Sequence, residues 1–153
     1  MALLRNDLGL ISLSVEAKAG ESFDKTVDQW LNQNGKKVGR EARLQWLAEA
    51  LHGAVEPKGL GILRYQLFHR TVSALKEAHR CGAFAAVMLV QAFPGAEESF
   101  SDFSQFANYL GVAVEPERLA KVPSHETPTL FIGWVSSPVA SDQQIAQLLS
   151  AMA

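Results

Sequence analysis

From Leu10 to Lys18 apolar and polar residues alternate one for one. Ile11, Leu13, Val15 and Ala17 form one set, and Ser12, Ser14, Glu16 and Lys18 the other. A period of two predicts a strand with the two sets on opposite faces. The apolar set is expected to meet the core, with Glu16 and Lys18 side by side pointing away from it. Just before this strand, Asn6-Asp7-Leu8-Gly9 is a hairpin signal joining it to Ala2–Arg5. With Asp7 and Leu8 as the two-residue loop, Asn6 pairs with Gly9 and paired numbers sum to 15. Glu16 then faces a position two residues before Met1.

Helical periodicity takes over after Gly20. Ser22 is positioned to cap a helix from Phe23 to Asn34, with Val27, Trp30 and Leu31 on its apolar side. A second helix is expected from Gly39 to His52, closed by Gly53. Pro57, Gly59 and Gly61 mark 54–61 as a loop. A long helix follows from Ile62 to Arg80, its wide apolar face built from Leu63, Leu67, Phe68, Val72, Ala74, Leu75 and Ala78. Ala83 to Phe93 reads as a strand covered on both faces, because the run is apolar throughout. Phe100, Phe103, Phe106 and Leu110 have helical spacing, Thr129–Val135 reads as a strand, and a last helix is expected over Asp142–Ala151. Hairpin, helices, strand, helix, strand is the order of an α/β fold with a mixed sheet: an antiparallel pair first, then strands joined by helical crossovers. No linker or repeat divides 1–153, so one domain is expected.

Composition narrows the class. Of 153 residues, 48% are hydrophobic and 20% charged, which suits a soluble globular domain with a real core. A single cysteine, Cys81, excludes an internal disulfide framework and a cysteine-rich zinc site. The longest apolar run, Ala83–Val90, is too short to span a bilayer, and no charged leader precedes an apolar stretch. Cytoplasmic residence without membrane association is the expectation. The net charge of −2 argues against a generally basic nucleic-acid binder. Yet residues 1–82 hold 12 basic and 9 acidic residues, and 83–153 hold 2 and 7. A phosphate-facing surface therefore belongs on the first half.

Glu16-Ala17-Lys18 at the end of an apolar strand resembles the Glu-x-Lys signature of the PD-(D/E)XK nuclease superfamily. The element order fits that resemblance. The runs around Val15–Lys18, Leu63–Ala78 and Ala86–Phe93 also resemble a small bacterial family grouped with it. The resemblance implies a restriction-endonuclease-like fold and Mg²⁺-dependent phosphodiester cleavage of nucleic acid. It implies Mg²⁺ ligation by the Glu16 carboxylate and the Ala17 carbonyl, with Lys18 orienting water. Hard oxygen donors suit Mg²⁺, and metal plus lysine stabilise charge on the phosphate. That chemistry also needs an aspartate on the neighbouring strand. Asp7 sits at the turn, on the order of 25 Å from Glu16 at about 3.3 Å per residue, and reads as a turn residue.

RecB-type members of the superfamily carry Gln-x-x-x-Tyr on a helix beside the active site. Here the spacing is Gln66-x-x-x-Arg70, a departure at its second position. Gln66, Arg70, Ser73 and Glu77 share one polar stripe, with Tyr65 and His69 beside it. Gln66 and Arg70 therefore stand as candidate catalytic residues with Glu16 and Lys18, the stripe turned toward Glu16. A solvated helix face with a satisfied His69 explains the same pattern equally well. Glu21 and Asp24 suit the first turn of the following helix, although Glu21 is also the first candidate for a replacement metal ligand. Trp30, Trp46 and the three phenylalanines of 100–106 read as core. His52, His79 and His125 lack ligand spacing, and no P-loop or nucleophile-elbow motif is present. Two functions are thus expected: a truncated or weakly active Mg²⁺-dependent phosphodiesterase, or a non-catalytic nucleic-acid-binding or protein-interaction domain derived from one. One carboxylate and one carbonyl make a poor Mg²⁺ site, and the short first strand leaves an edge that gives reason to expect a homodimer.

Overall fold

The computed structural model describes residues 1–33, 37–52 and 59–138. The chain forms strands β1 (Ala2–Asn6) and β2 (Gly9–Lys18), helices α1 (Val27–Leu31) and α2 (Lys37–His52), and a 3₁₀ turn at Leu60–Ile62. Helix α3 (Tyr65–Cys81), strand β3 (Ala85–Ala92), helix α4 (Ser99–Tyr109) and strands β4 (Arg118–Glu126) and β5 (Thr129–Ser136) follow. The expected final helix, the Gly53 stop and most of the 54–61 loop lie outside the described residues. Among the described residues no helix is long and apolar enough to cross a membrane.

The five strands form one mixed sheet in the order β1-β2-β3-β5-β4. β1 and β2 are antiparallel, with Ala2 opposite Leu13 and Asn6 opposite Gly9, the register the Asp7-Leu8 loop dictates. The Asn6 side chain accepts from the Leu8 backbone N–H at 3.0 Å, the local bond that favours asparagine in such a turn. β3 runs parallel to both β2 and β5, while β4 closes the sheet antiparallel to β5. Parallel neighbours require crossovers, and α3 supplies the one between β2 and β3. Gly82 ends α3 in the left-handed region at φ 63°, bonding back to Ala78 and His79.

The two faces of β2 are the reverse of the expectation. Ser12, Ser14, Glu16 and Lys18 are buried, while Val15 is 37% exposed and Ala17 is exposed. The polar set lies under the helices because α3 packs on it. Two serines leave room for α3 to approach, and the apolar residues of α3 are seated around them. Ser12 pairs with Ala86, Ser14 with Met88, Glu16 with Val90 and Lys18 with Ala92, so the buried face is polar on β2 and apolar on β3. The other face carries Leu4, Ile11, Leu13, Val15, Val87, Leu89 and Phe131, all half-buried or exposed. β3 is therefore fully covered on one face only, not on both.

The core lies between this polar–apolar sheet face and the helices. Phe68 of α3 meets Phe106 at 5.1 Å and Tyr109 at 5.3 Å of α4. Trp134 of β5 receives Phe23, Phe100 and Phe103. These edge-on and tilted pairs bury large rings that hold α4 against β5. Phe100, Phe103 and Phe106 are core as expected, whereas Trp46 is 48% exposed on α2, with the Lys76 ammonium 5.1 Å from its ring. Thr26, rather than Ser22, caps the short α1 in a capping box with Gln29. Phe23 is fully buried, and the segment ahead of Thr26 is irregular, bending at Asp24 instead of forming a helical turn.

Ser12 Oγ is buried without a hydrogen-bond partner among the described residues. Burying an unsatisfied hydroxyl costs free energy. Ser12→Ala is therefore expected to keep the fold and raise stability by about 1 kcal/mol, read from the urea midpoint.

Candidate functional site

The site begins with two glycines at the carboxyl ends of β2 and β3. Gly20 (φ 97°) and Gly95 (φ 92°) lie in the left-handed region, and a Cβ on Gly95 would come 3.5 Å from Gly20 Cα. The loops after the two parallel strands can thus close together beside Lys18. Ligand sites in open α/β sheets favour this end of the strands.

Lys18 is tied on all sides. Its ammonium donates to the Ser22 carbonyl at 3.2 Å and to Gln66 Oε1 at 3.1 Å, and lies 3.1 Å from Glu16 Oε1. The Phe23 ring sits 4.9 Å beneath it. Glu16 is equally engaged: Oε1 accepts from Gln66 Nε2 at 2.5 Å, and Oε2 from Arg70 Nε at 2.7 Å. Gln66 thus bridges the strand pair, its oxygen on the lysine and its nitrogen on the carboxylate. The side chains of Lys18 and Glu16 are only 4% and 8% exposed, whereas Arg70 is 43% exposed. A buried charge is tolerated only when paired and hydrogen-bonded, and here each buried charge is both.

All four candidate residues are brought together, and α3 is why. Gln66 and Arg70 are four apart and project from one helical face, which packing turns onto β2. The stripe divides further along: Ser73 Oγ donates to the carbonyl of His69, and Glu77 pairs with Arg80. Cys81 donates to Glu77 at 3.3 Å, and burial together with that bond pushes its thiol pKa up, away from nucleophile behaviour. Arg64 anchors the start of α3, donating to Asp102 of α4 at 2.9 Å and to the Asp24 carbonyl at 2.7 Å. Glu21 accepts from the Ala19 N–H of its own loop, and that bond, with the Lys18 charge adding to it, lowers its carboxyl pKa. Asp24 lies before α1 at φ 54° instead of in its first turn, where Asp28 stands.

Cavities of about 330 and 490 Å³ lie at this end of the sheet. The smaller is bounded by Gly20, Ser22, Arg64, Gly95, Ser99 and Asp102, and the larger includes Phe93, Phe100 and Trp134. Glu16 and Lys18 sit beneath α3, with the half-buried Gln66 and the 43% exposed Arg70 on their outer side.

Beside Arg70 is an aromatic ladder from two helices, with a cation from a third. Trp30 of α1 stacks on Tyr65 of α3 at 3.9 Å and 11°, and Tyr65 lies near-parallel to His69 at 6.4 Å. The Arg43 guanidinium of α2 stands 6.0 Å from the Tyr65 ring. Burial, then the Arg43 and Arg70 cations, lower the His69 pKa below its ordinary 6.5. Trp30 and Arg43 are members of this neighbourhood that periodicity could not reveal, because three separate helices meet there.

The donor set bears on Mg²⁺. Both Glu16 oxygens are already held, by Gln66, Lys18 and Arg70, and two of those partners are cations. Among the described residues no group of three or more His, Cys, Asp or Glu side chains could hold a metal ion. The Ala17 carbonyl points away from β3, because the alternate carbonyl of Lys18 accepts from Phe93 at 2.7 Å on that side. It is thus left as a lone neutral donor. A cluster with one carboxylate and two cations matches an anion better than a resident divalent cation, and as arranged it does not fit Mg²⁺.

Two outcomes follow. Glu16→Ala should cost about 3–5 kcal/mol by leaving Lys18 buried and unpaired. Adding Lys18→Met should recover part of that loss, both read by chemical denaturation. The His69 imidazole should titrate below 6.5 by NMR. Arg43→Gln should raise its pKa, since removing a cation favours the protonated ring. Because the folded-state pKa is lowered, His69's share of stability is present above about 6.5 and is lost as pH falls through that range.

No curated protein and no solved structure matches the chain. The family described as a domain of unknown function, DUF6946, matches residues 1–139, and the chain belongs to that family.

Proposed function

We propose that this chain is a restriction-endonuclease-like domain of PD-(D/E)XK type that engages the phosphodiester backbone of nucleic acid at Glu16, Lys18, Gln66 and Arg70, binding it without efficient cleavage. One observation carries the reading. Gln66, on the crossover helix, bridges the carboxylate and the ammonium of the Glu16-x-Lys18 pair at 2.5 and 3.1 Å. A hairpin strand bearing Glu-x-Lys, a crossover helix bearing glutamine, and a parallel return strand are what the resemblance calls for. The surplus cation favours a phosphate over a metal at rest, and so supports binding over turnover.

A second reading, a weak Mg²⁺-dependent phosphodiesterase, is favoured by the retained Glu16–Ala17–Lys18 triplet with its glutamine. On either reading the chain's residues bind and orient a phosphate, and the buried Lys18 holds positive charge behind it. Localisation in the cytoplasm and pairing of two copies along the β2 edge stay part of the proposal.

Fluorescence anisotropy with labelled single-stranded DNA and RNA tests the proposal. Binding should weaken steeply with salt, as release of counterions demands. Gln66→Ala should weaken it about tenfold, the loss of a hydrogen bond to charged groups. No binding of either nucleic acid at low salt would overturn the proposal. Rapid Mg²⁺-dependent cleavage abolished by Glu16→Ala would instead establish the second reading.

A further inference from the structure

Arg70 is bound at one end only. Its Nε donates to Glu16 Oε2 at 2.7 Å, and no other acceptor holds it among the described residues. The two terminal nitrogens of the guanidinium are therefore unused. The side chain is 43% exposed, while the carboxylate that grips it is 8% exposed. A rigid buried carboxylate thus orients a half-exposed planar fork. Such a fork matches two oxygens of a tetrahedral anion, and fixing it beforehand removes much of the entropy cost of binding.

The surroundings favour the same kind of ligand. Arg43 is exposed, has no carboxylate partner among the described residues, and acts with Arg70 on the intervening His69. Among the described residues the two arginines thus share one carboxylate partner, Glu16. Glu16 cannot neutralise Arg70 fully, because Lys18 already shares its Oε1.

We infer that Arg70 is the anion receptor of this domain: Nη1 and Nη2 take a phosphate group, Glu16 acts as the positioning residue that holds Nε, and Arg43 adds a second cation. Lys18 and Gln66 hold the carboxylate that fixes the fork. The site needs no metal ion. The inference rests on the proposed nucleic-acid reading for its substrate, since the phosphate would be that of a backbone phosphodiester, but the receptor itself recognises phosphate chemistry from either a nucleic acid or the free ion.

The test is made on the full chain in EDTA, with inorganic phosphate and a short single-stranded oligonucleotide as probes. In ¹⁵N-labelled protein the Arg70 Nε–H signal, assigned by its loss in Arg70→Lys, should shift with both probes. Arg70→Lys keeps the charge and loses the fork, and should weaken both about tenfold. Arg70→Ala should weaken them further, with circular dichroism confirming that each variant is folded. Glu16→Gln lowers stability by leaving Lys18 without its counter-charge, but in the protein that circular dichroism shows to be folded it should move the Nε–H signal and weaken phosphate binding, an effect a purely structural carboxylate would not have. Phosphate binding that depends on Arg70 without oligonucleotide binding supports the receptor and overturns the nucleic-acid reading. Oligonucleotide binding indifferent to Arg70→Lys and Arg70→Ala does the reverse. Binding of neither probe, or binding only when Mg²⁺ is added, overturns the receptor.

Discussion

The constraint on which the rest depends is a carboxylate buried between a sheet and a helix. Glu16 is on an inward-facing position of β2, where an ionised group without partners would cost several kcal/mol. Its three donors come from two elements: Lys18 from its own strand, and Gln66 and Arg70 from α3. Satisfying it fixes the rotation of α3, because only one face carries residues 66 and 70. It also fixes the axial position, because a shift of one turn would put Arg70 where Gln66 stands and Ser73 or Ala74 where Arg70 stands, losing the amide bridge to Lys18. Apolar packing of Leu67, Phe68, Val72 and Leu75 supplies most of the driving force for docking α3. The polar cluster decides which of several apolar docking arrangements is allowed.

How much of this was legible in the sequence depends on which physical rule applied. The hairpin register followed from a local turn, and Ala2 lies opposite Leu13 as the turn requires. That Gln66 and Arg70 share one helix face followed from their spacing; that this face meets Glu16 did not, since a solvated face accounted for the same pattern. The inside and outside of β2 did not. Alternation fixes that two sets lie on opposite faces, and the apolar set is assigned to the core by default. That default fails here because the helices carry their own polar stripe and must find polar partners. Ser12 and Ser14 are small enough to be buried, while Val15 is left on the outer face. A strand with a buried ion pair reads, by hydrophobicity, inside out.

The missed elements have similar causes. β4 contains Pro123, Arg118 and Lys121, and its pairing with β5 is broken by an irregularity between Lys121 and Glu126. Those are the features by which edge strands avoid further pairing, and they also erase the alternating pattern. Trp46 sits among apolar helix positions yet lies on the outer side of α2, where the Lys76 ammonium covers one face of its ring. The Trp30–Tyr65 stack joins residues from helices whose mutual orientation is set only when the whole layer assembles. None of these can be found by examining one segment at a time.

Arginine rather than a neutral residue at position 70 gives the cluster its chemical sign. A tyrosine would offer a neutral hydroxyl and leave Glu16 and Lys18 balanced. Arginine leaves one negative charge between two positive ones, with the half-exposed member toward solvent. At the roughly 3 Å separations found here even a high effective dielectric leaves attraction of several kcal/mol between neighbours. The three groups therefore act as a unit with net positive charge. An incoming divalent cation would meet two fixed cations and a carboxylate with no free oxygen. An incoming phosphate would meet an oriented guanidinium already desolvated on one side. The Glu16 carboxylate, with both oxygens held, is committed to its three donors.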